Sequence, residues 1–384
     1  MVINKRMLNG LVNASKNKYA GNIDTCEVYK RKYHVDTGNY ILNFFTGCDI
    51  YSGIPSGMIV QWAGKESTGK SFLTSNQMIH HVKSNKNHIA LLLETEGTFA
   101  SEAIKKVLSP DEIERFNLFP CKTVEDIKIQ LNNMLEYIKA NLENWKDAKV
   151  LVTIDSIGMP PSKKEATDAT NEKASVDMTR AREVKSLFRT ITMDLAILNI
   201  PLNLVNHQYA SMSAFEGMKE SSGTGVAYSN SVTFVLRKAK MKEGDEVVGT
   251  EFIITAKKHR DIRENAKFSF FSKFINGTDR YSGLWEFLKD HKLMTSKAVG
   301  GGKKGSIITI PDLNVEIIST ELSKMTAKEW WTKEKLDYIN NKLKEYYLLG
   351  RKNITLSDDF ERVKDKDPIE DIEKKTEKKS SKRG

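Results

Sequence analysis

The octapeptide Gly64-Lys65-Glu66-Ser67-Thr68-Gly69-Lys70-Ser71 satisfies the pattern GxxxxGK[ST] in full. Such a run works only in a narrow setting. An apolar strand must feed it and a helix must leave it, so that backbone N–H groups turn inward around phosphates. The flanks supply that setting. Met58-Ile59-Val60-Gln61-Trp62-Ala63 reads as a short buried strand, and residues 70 to about 82 read as a helix. In this geometry Lys70 reaches the outer phosphates of a nucleotide and the Ser71 hydroxyl ligates Mg²⁺.

The surrounding pattern agrees. Residues 88–93 (HIALLL) and 150–154 (VLVTI) are compact apolar runs of the kind buried in a parallel sheet, and residues 201–206 form a third. Between the first two lies an amphipathic helix over 125–145, with Ile127, Leu131, Met134, Leu135, Ile138, Leu142 and Trp145 on one face. Residues 158–172 are polar and read as a loop, 174–198 as a long helix, and 207–225 as a second polar loop. Three further strands, 231–237, 251–256 and 268–274, are joined by turn-like segments. Strands alternating with helices predict an α/β fold with a mostly parallel central sheet and an antiparallel extension. Composition divides the chain into a basic N-terminal segment over 1–35, an arm or a small helical piece, and a core over 36–290. A small C-terminal α/β module over 291–362 follows, then a charged tail over 363–384 that is expected to be disordered.

Of the 384 residues, 39% are hydrophobic, enough for a real core. Sixty Lys and Arg against 50 Asp and Glu give a net charge of +10, which favours a polyanionic partner. Cys26, Cys48 and Cys121 lack CxxC spacing, which excludes a disulfide framework and a cysteine-based zinc site. No apolar run approaches a membrane span, and the first residues lack the apolar stretch of a secretion signal. The expectation is a soluble intracellular protein without a membrane partner. No HExxH, GxSxG or Cys–His constellation points to another hydrolase.

Asp155 ends the 150–154 strand, where a carboxylate holds Mg²⁺ beside a phosphate loop; by itself it is also an ordinary strand-terminal acid. Glu94 and Glu96 follow the 88–93 strand at the edge that faces the ligand crevice, where one of them could activate water; a solvated acidic turn has the same composition. His207, after Asn206, could touch a terminal phosphate, or be a hydrogen-bonded buried histidine.

The order of these features is specific. A turn-rich entry (Thr37-Gly38, Thr46-Gly47, Ser52-Gly53, Pro55-Ser56-Gly57) precedes the phosphate loop, the Glu94-Thr95-Glu96 edge and Asp155-Ser156. Two polar loops follow, then a strand pair ending in Lys258-His259-Arg260. Ser162-Lys163-Lys164-Glu165, Asp168, Asn171-Glu172-Lys173, Asp177-Met178-Thr179-Arg180-Ala181 and Lys185-Ser186-Leu187-Phe188-Arg189 complete the pattern. Over about residues 37–290 the chain resembles the RecA-family recombinase core, and within it the UvsX type of T-even-like phages.

The resemblance implies a RecA-like P-loop ATPase using ATP and Mg²⁺. It makes Glu96 the catalytic glutamate, Asp155 the Walker B carboxylate and His207 the sensor of the γ-phosphate. Lys258 and Arg260 become fingers that reach the ATP of a neighbouring subunit. The family's adenine-stacking aromatic, several residues after the catalytic Glu, leaves only Phe99 here. Residues 159–172 match a first DNA-binding loop, where Lys163 and Lys164 could hold DNA or be two ordinary surface lysines. Residues 208–225 match a second. There an aromatic or Met, Phe215 among them, could wedge between bases while backbone N–H groups and Lys219 hold phosphates, with Gly223 and Gly225 also placed at DNA; a surface loop with no partner has the same composition. Arg182 and Arg189, seven residues apart on one helix face, join that DNA surface.

The implied partners are single- and double-stranded DNA, further copies of the chain in a helical homo-oligomer, a single-strand-binding protein and a loading mediator. The implied place of action is the host cytoplasm. The function expected is DNA-dependent ATP hydrolysis coupled to filament formation and strand exchange. Two alternatives stand beside it: a ring-forming RecA-fold helicase or translocase, and an ATP-binding recombination accessory protein. The tail has two basic and five acidic residues over 364–373, then six basic and one acidic over 374–384; its basic end could touch DNA phosphates, although a solvated solubility tail has the same composition.

Overall fold

The computed structural model describes residues 5–170, 179–210, 218–220, 226, 229–274, 277–300 and 304–349. Its centre is a ten-stranded sheet built from β1 (Ile59–Gly64), β2 (His88–Glu94), β3 (Phe116–Pro120), β4 (Lys149–Asp155) and β5 (Leu202–Ala210). It continues through β6 (Met218–Glu220), β7 (Val232–Glu243), β8 (Glu246–Lys258), β9 (Ala266–Lys273) and β10 (Gly277–Thr278). The spatial order is β10-β9-β8-β7-β1-β5-β4-β2-β3, with β6 folded back on β5. Pairing is parallel from β7 across to β3. It is antiparallel from β7 out to β10. The fold is thus α/β, with the mostly parallel sheet and the antiparallel extension that the apolar runs predict.

The period-2 alternation of the parallel strands divides their side chains between two cores. Val60, Trp62, Ala90, Leu92 and Leu151 pack with α2 (Tyr40–Gly47), α3 (Lys70–Ser84) and the antiparallel strands. Ile59, Leu91, Leu93, Val150, Val152 and Ile154 pack on the other side with α4 (Val124–Ala140) and α6 (Thr179–Leu198). A buried relay ties strands to helix: Trp62 Nε1 donates to Asn203 Oδ1 at 2.9 Å, and Asn203 Nδ2 donates to Gln77 Oε1 at 2.8 Å.

Several sequence expectations need correction. The helix expected over 125–145 stops at Ala140. A separate turn covers Leu142–Trp145, and Leu142 is exposed instead of lying on the apolar face. Residues 158–172 are not all loop, because α5 (Lys163–Thr170) forms within them. It has no apolar stripe, but Ser162 Oγ accepts from the Glu165 backbone N–H at 3.0 Å, an S-x-x-E start signal. β3 has no counterpart in the reading, since Phe-Asn-Leu-Phe-Pro is short, half-exposed and at the edge of the sheet. The 201–206 strand continues to Ala210, and β6 pairs back on it within the expected second loop. β7 and β8 run well past their apolar parts into lysine-bearing ribbon that turns at Gly244, φ 63°.

α1 (Lys5–Ala14) buries none of its side chains. Beyond the central sheet, a three-stranded sheet, β11 (Thr295–Ala298), β12 (Ser306–Ile310) and β13 (Val315–Ile318), precedes α7 (Lys333–Tyr347). α7 shares the core of α2. Tyr347 meets Phe45 edge-on at 5.0 Å, Asn340 Oδ1 accepts from the Ile50 N–H, and Lys344 pairs with Asp49 at 2.6 Å. No described helix is long and apolar enough to cross a membrane.

Candidate functional site

β1, β2, β4 and β5 run parallel and end at one edge of the sheet, which is where an α/β sheet opens its ligand crevice. The register fixes which residues meet there. Glu94 stands opposite Asp155, and Gly64 opposite His207. Thr95 ties two of the strand ends together: its N–H donates to Asp155 O at 3.0 Å, and its hydroxyl donates to Ser156 O at 2.9 Å.

The glycine-bearing loop leaves β1 and enters α3. Ser67 and Gly69 have φ of 59° and 89°. At Gly69 the left-handed backbone and the neighbouring ring both exclude a side chain, since a Cβ would come within 2.4 Å of Phe252 Cε1. Thr68 Oγ1 donates to Lys65 O at 2.9 Å. Lys70 is almost fully buried, and its Nζ donates to Gly64 O at 3.2 Å and Lys65 O at 2.8 Å. Burial lowers its pKa, opposed by the charges of Asp155, Glu96 and Glu66. The ammonium therefore rests on carbonyls of the loop, which a phosphate oxygen entering the loop can replace.

Asp155 lies under that loop, 8% exposed. Burial pushes its carboxyl up to about 6, helped by Glu96 and Glu94 and opposed by the Ser71 hydroxyl bond and Lys70. Its Oδ1 is buried without a hydrogen-bond partner. An unpaired buried oxygen beside a serine hydroxyl is a donor set that suits a hard divalent cation such as Mg²⁺.

The two neighbouring glutamates differ sharply. Glu94 accepts from the Glu96 and Gly97 backbone N–H groups, each at 3.0 Å, and so shapes the turn. Glu96 instead meets His207, with 2.9 Å between Oε1 and Nε2. That hydrogen bond holds the Glu96 carboxyl below its usual range. Lys70, Ser71, Asp155, Glu96 and His207 are thus brought to one edge.

Lys258 and Arg260 are not there. Lys258 pairs with Thr233, which pairs with Gln61, three residues before Gly64. Its Nζ donates to Asn230 O and Oδ1, at 2.8 and 3.1 Å, at the entry of β7. Lys258 therefore lies at the opposite end of β1 from the Gly64–Ser71 loop of its own chain. Arg31, which no sequence motif marks, joins this group. Its guanidinium is held down by burial and by the charge of Arg260, and it donates to Ser56 O at 3.1 Å.

Of the residues expected at DNA, Lys163 and Lys164 are exposed on α5, and Lys163 pairs with Asp126 at 3.6 Å. Arg182 and Arg189 are both exposed on α6. Arg180, which had no assigned role, staples the preceding segment by donating to the Ile157, Gly158 and Pro160 carbonyls. Lys219 lies on β6 and its side chain is outside the described residues, as are Phe215, Gly223, Gly225 and the tail.

No family model matches the chain. It is 31% identical over 275 residues to a protein of Enterobacteria phage T4 called "Recombination and repair protein"; the alignment covers 71% of this chain and 68% of that one.

Proposed function

The chain belongs to the family of the phage T4 recombination and repair protein, and from that premise we propose that it is a DNA-dependent ATPase that polymerises on single-stranded DNA and exchanges homologous strands. The observation that carries the reading is the meeting of Lys70, Ser71, Asp155, Glu96 and His207 at one sheet edge. These are the parts that phosphoryl transfer needs, because its catalysis is mostly positioning and charge stabilisation.

In this reading Lys70 exchanges its two backbone carbonyls for phosphate oxygens of ATP. Ser71 and Asp155 would hold Mg²⁺, which when bound would neutralise phosphate charge. Glu96, kept ionised by His207, orients the attacking water and accepts its proton. His207 shares a rung with Gly64 and lies on β5, which leads directly into residues 208–225. Loss of the γ-phosphate is therefore felt where β5 enters the second DNA loop. Lys258 and Arg260, turned away from their own loop, suit the nucleotide of an adjoining copy, so the active site is completed by assembly.

A strand-exchange assay between circular single-stranded DNA and homologous linear duplex tests the reading. Joint molecules that require ATP are the expected result. DNA-stimulated ATP hydrolysis without joint molecules would remove strand exchange from the function.

A further inference from the structure

Phe72 follows Ser71 on the first turn of α3, yet it is 43% exposed. Its ring lies parallel to that of Phe252, at 8° and 5.8 Å, and Phe252 stacks in turn on Phe270 at 5.3 Å. Phe252 and Phe270 are buried. The exposed ring is therefore backed by two buried ones.

Two clefts open beside it, and Phe72 is a wall of both. One, of about 420 Å³, runs past Ser71, Asn76 and Phe99 to Asp155. The other, of about 330 Å³, runs past Gly69, Lys238 and Phe274. If the terminal phosphate of a nucleotide faces Glu96 and His207, its base leaves the loop at the other end, over the first turn of α3. Phe99, the aromatic that the resemblance offers for the base, is half-buried and packs against Phe116 at 6.0 Å.

We propose that Phe72 is the stacking platform for the purine base of the bound nucleotide. The inference rests on the phosphate-site reading above and adds the residue that holds the base. Stacking on a π-face rewards ring area, so purines should bind better than pyrimidines.

Calorimetric titration of the full chain with MgADP, MgCDP and Mg-tripolyphosphate tests it. Phe72→Ala should weaken MgADP binding about 10-fold, narrow its advantage over MgCDP, and leave tripolyphosphate binding unchanged. Phe72→Leu, which keeps apolar cover over Phe252 without a π-face, should behave like F72A, and Phe72→Tyr like wild type. Unchanged MgADP affinity in F72A overturns the platform, as does an equal loss for MgADP and tripolyphosphate, which would make Phe72 a prop for the loop. Loss of MgADP binding in Phe99→Ala but not in F72A would move the base to Phe99. Failure of the wild-type protein to bind any of the three probes would instead overturn the phosphate-site reading, and the platform with it.

Discussion

Glu96 is bonded to the imidazole of His207, whereas Glu94, two residues earlier, accepts from two backbone N–H groups. One carboxylate is held by a side chain at the open edge of the sheet; the other is built into the turn. Glu96→Gln should therefore retain nucleotide binding and slow ATP turnover by about 100-fold or more, locking protein on DNA. Steady-state hydrolysis with a parallel nucleotide-binding titration checks this. Wild-type turnover in E96Q would transfer the role to Glu94.

Lys70→Ala removes the only ammonium that rests on the loop carbonyls in the described structure. Hydrolysis should fall by about 10²-fold or more and strand exchange should vanish, since the site works by charge. Hydrolysis within a few-fold of wild type would show that the loop is not the phosphate site.

Lys258 and Arg260 sit away from their own loop, so their action should cross between copies. Lys258→Ala and Arg260→Ala should each lose most DNA-stimulated hydrolysis while still binding nucleotide. Mixing R260A with K70A should restore part of the activity at composite sites. Absence of rescue at every ratio, with co-assembly shown by sedimentation, would contradict the assignment.

His259 is buried, its Nδ1 accepting from the Asp261 and Ile262 N–H groups at 3.0 Å each. Burial lowers its pKa to about 4. The folded state then binds fewer protons than the unfolded one, so its stability is full above about pH 6.5 and is lost as pH falls towards 4. The loss from this residue should reach about 2 kcal/mol at pH 5. His259→Asn keeps an acceptor for the same N–H groups without titrating. Its melting temperature should fall less than that of wild type between pH 7.5 and pH 5; an equal fall would place the acid sensitivity elsewhere.

Much of this molecule is legible from local pattern. The inner parallel strands β1, β2, β4 and β5 announce themselves because each is an apolar run, and the loop between Gly64 and Ser71 by the spacing of its glycines. α5 is hidden because a polar helix has no stripe, although Ser162 and Glu165 mark its start. β3 is hidden because an edge strand need not be apolar. The pairing of Glu96 with His207 is invisible for another reason: it depends on strand order, and 111 residues separate the two in sequence. The same holds for Phe72, whose neighbour Phe252 comes from the antiparallel extension.

The proposed function requires assembly on single-stranded DNA under nucleotide control. Negative-stain images of the full chain with ATPγS, Mg²⁺ and single-stranded DNA test it most directly. Continuous helical filaments that coat the DNA and are lost in K70A are the expected result. Closed rings, or discrete particles that do not coat the DNA, would contradict it.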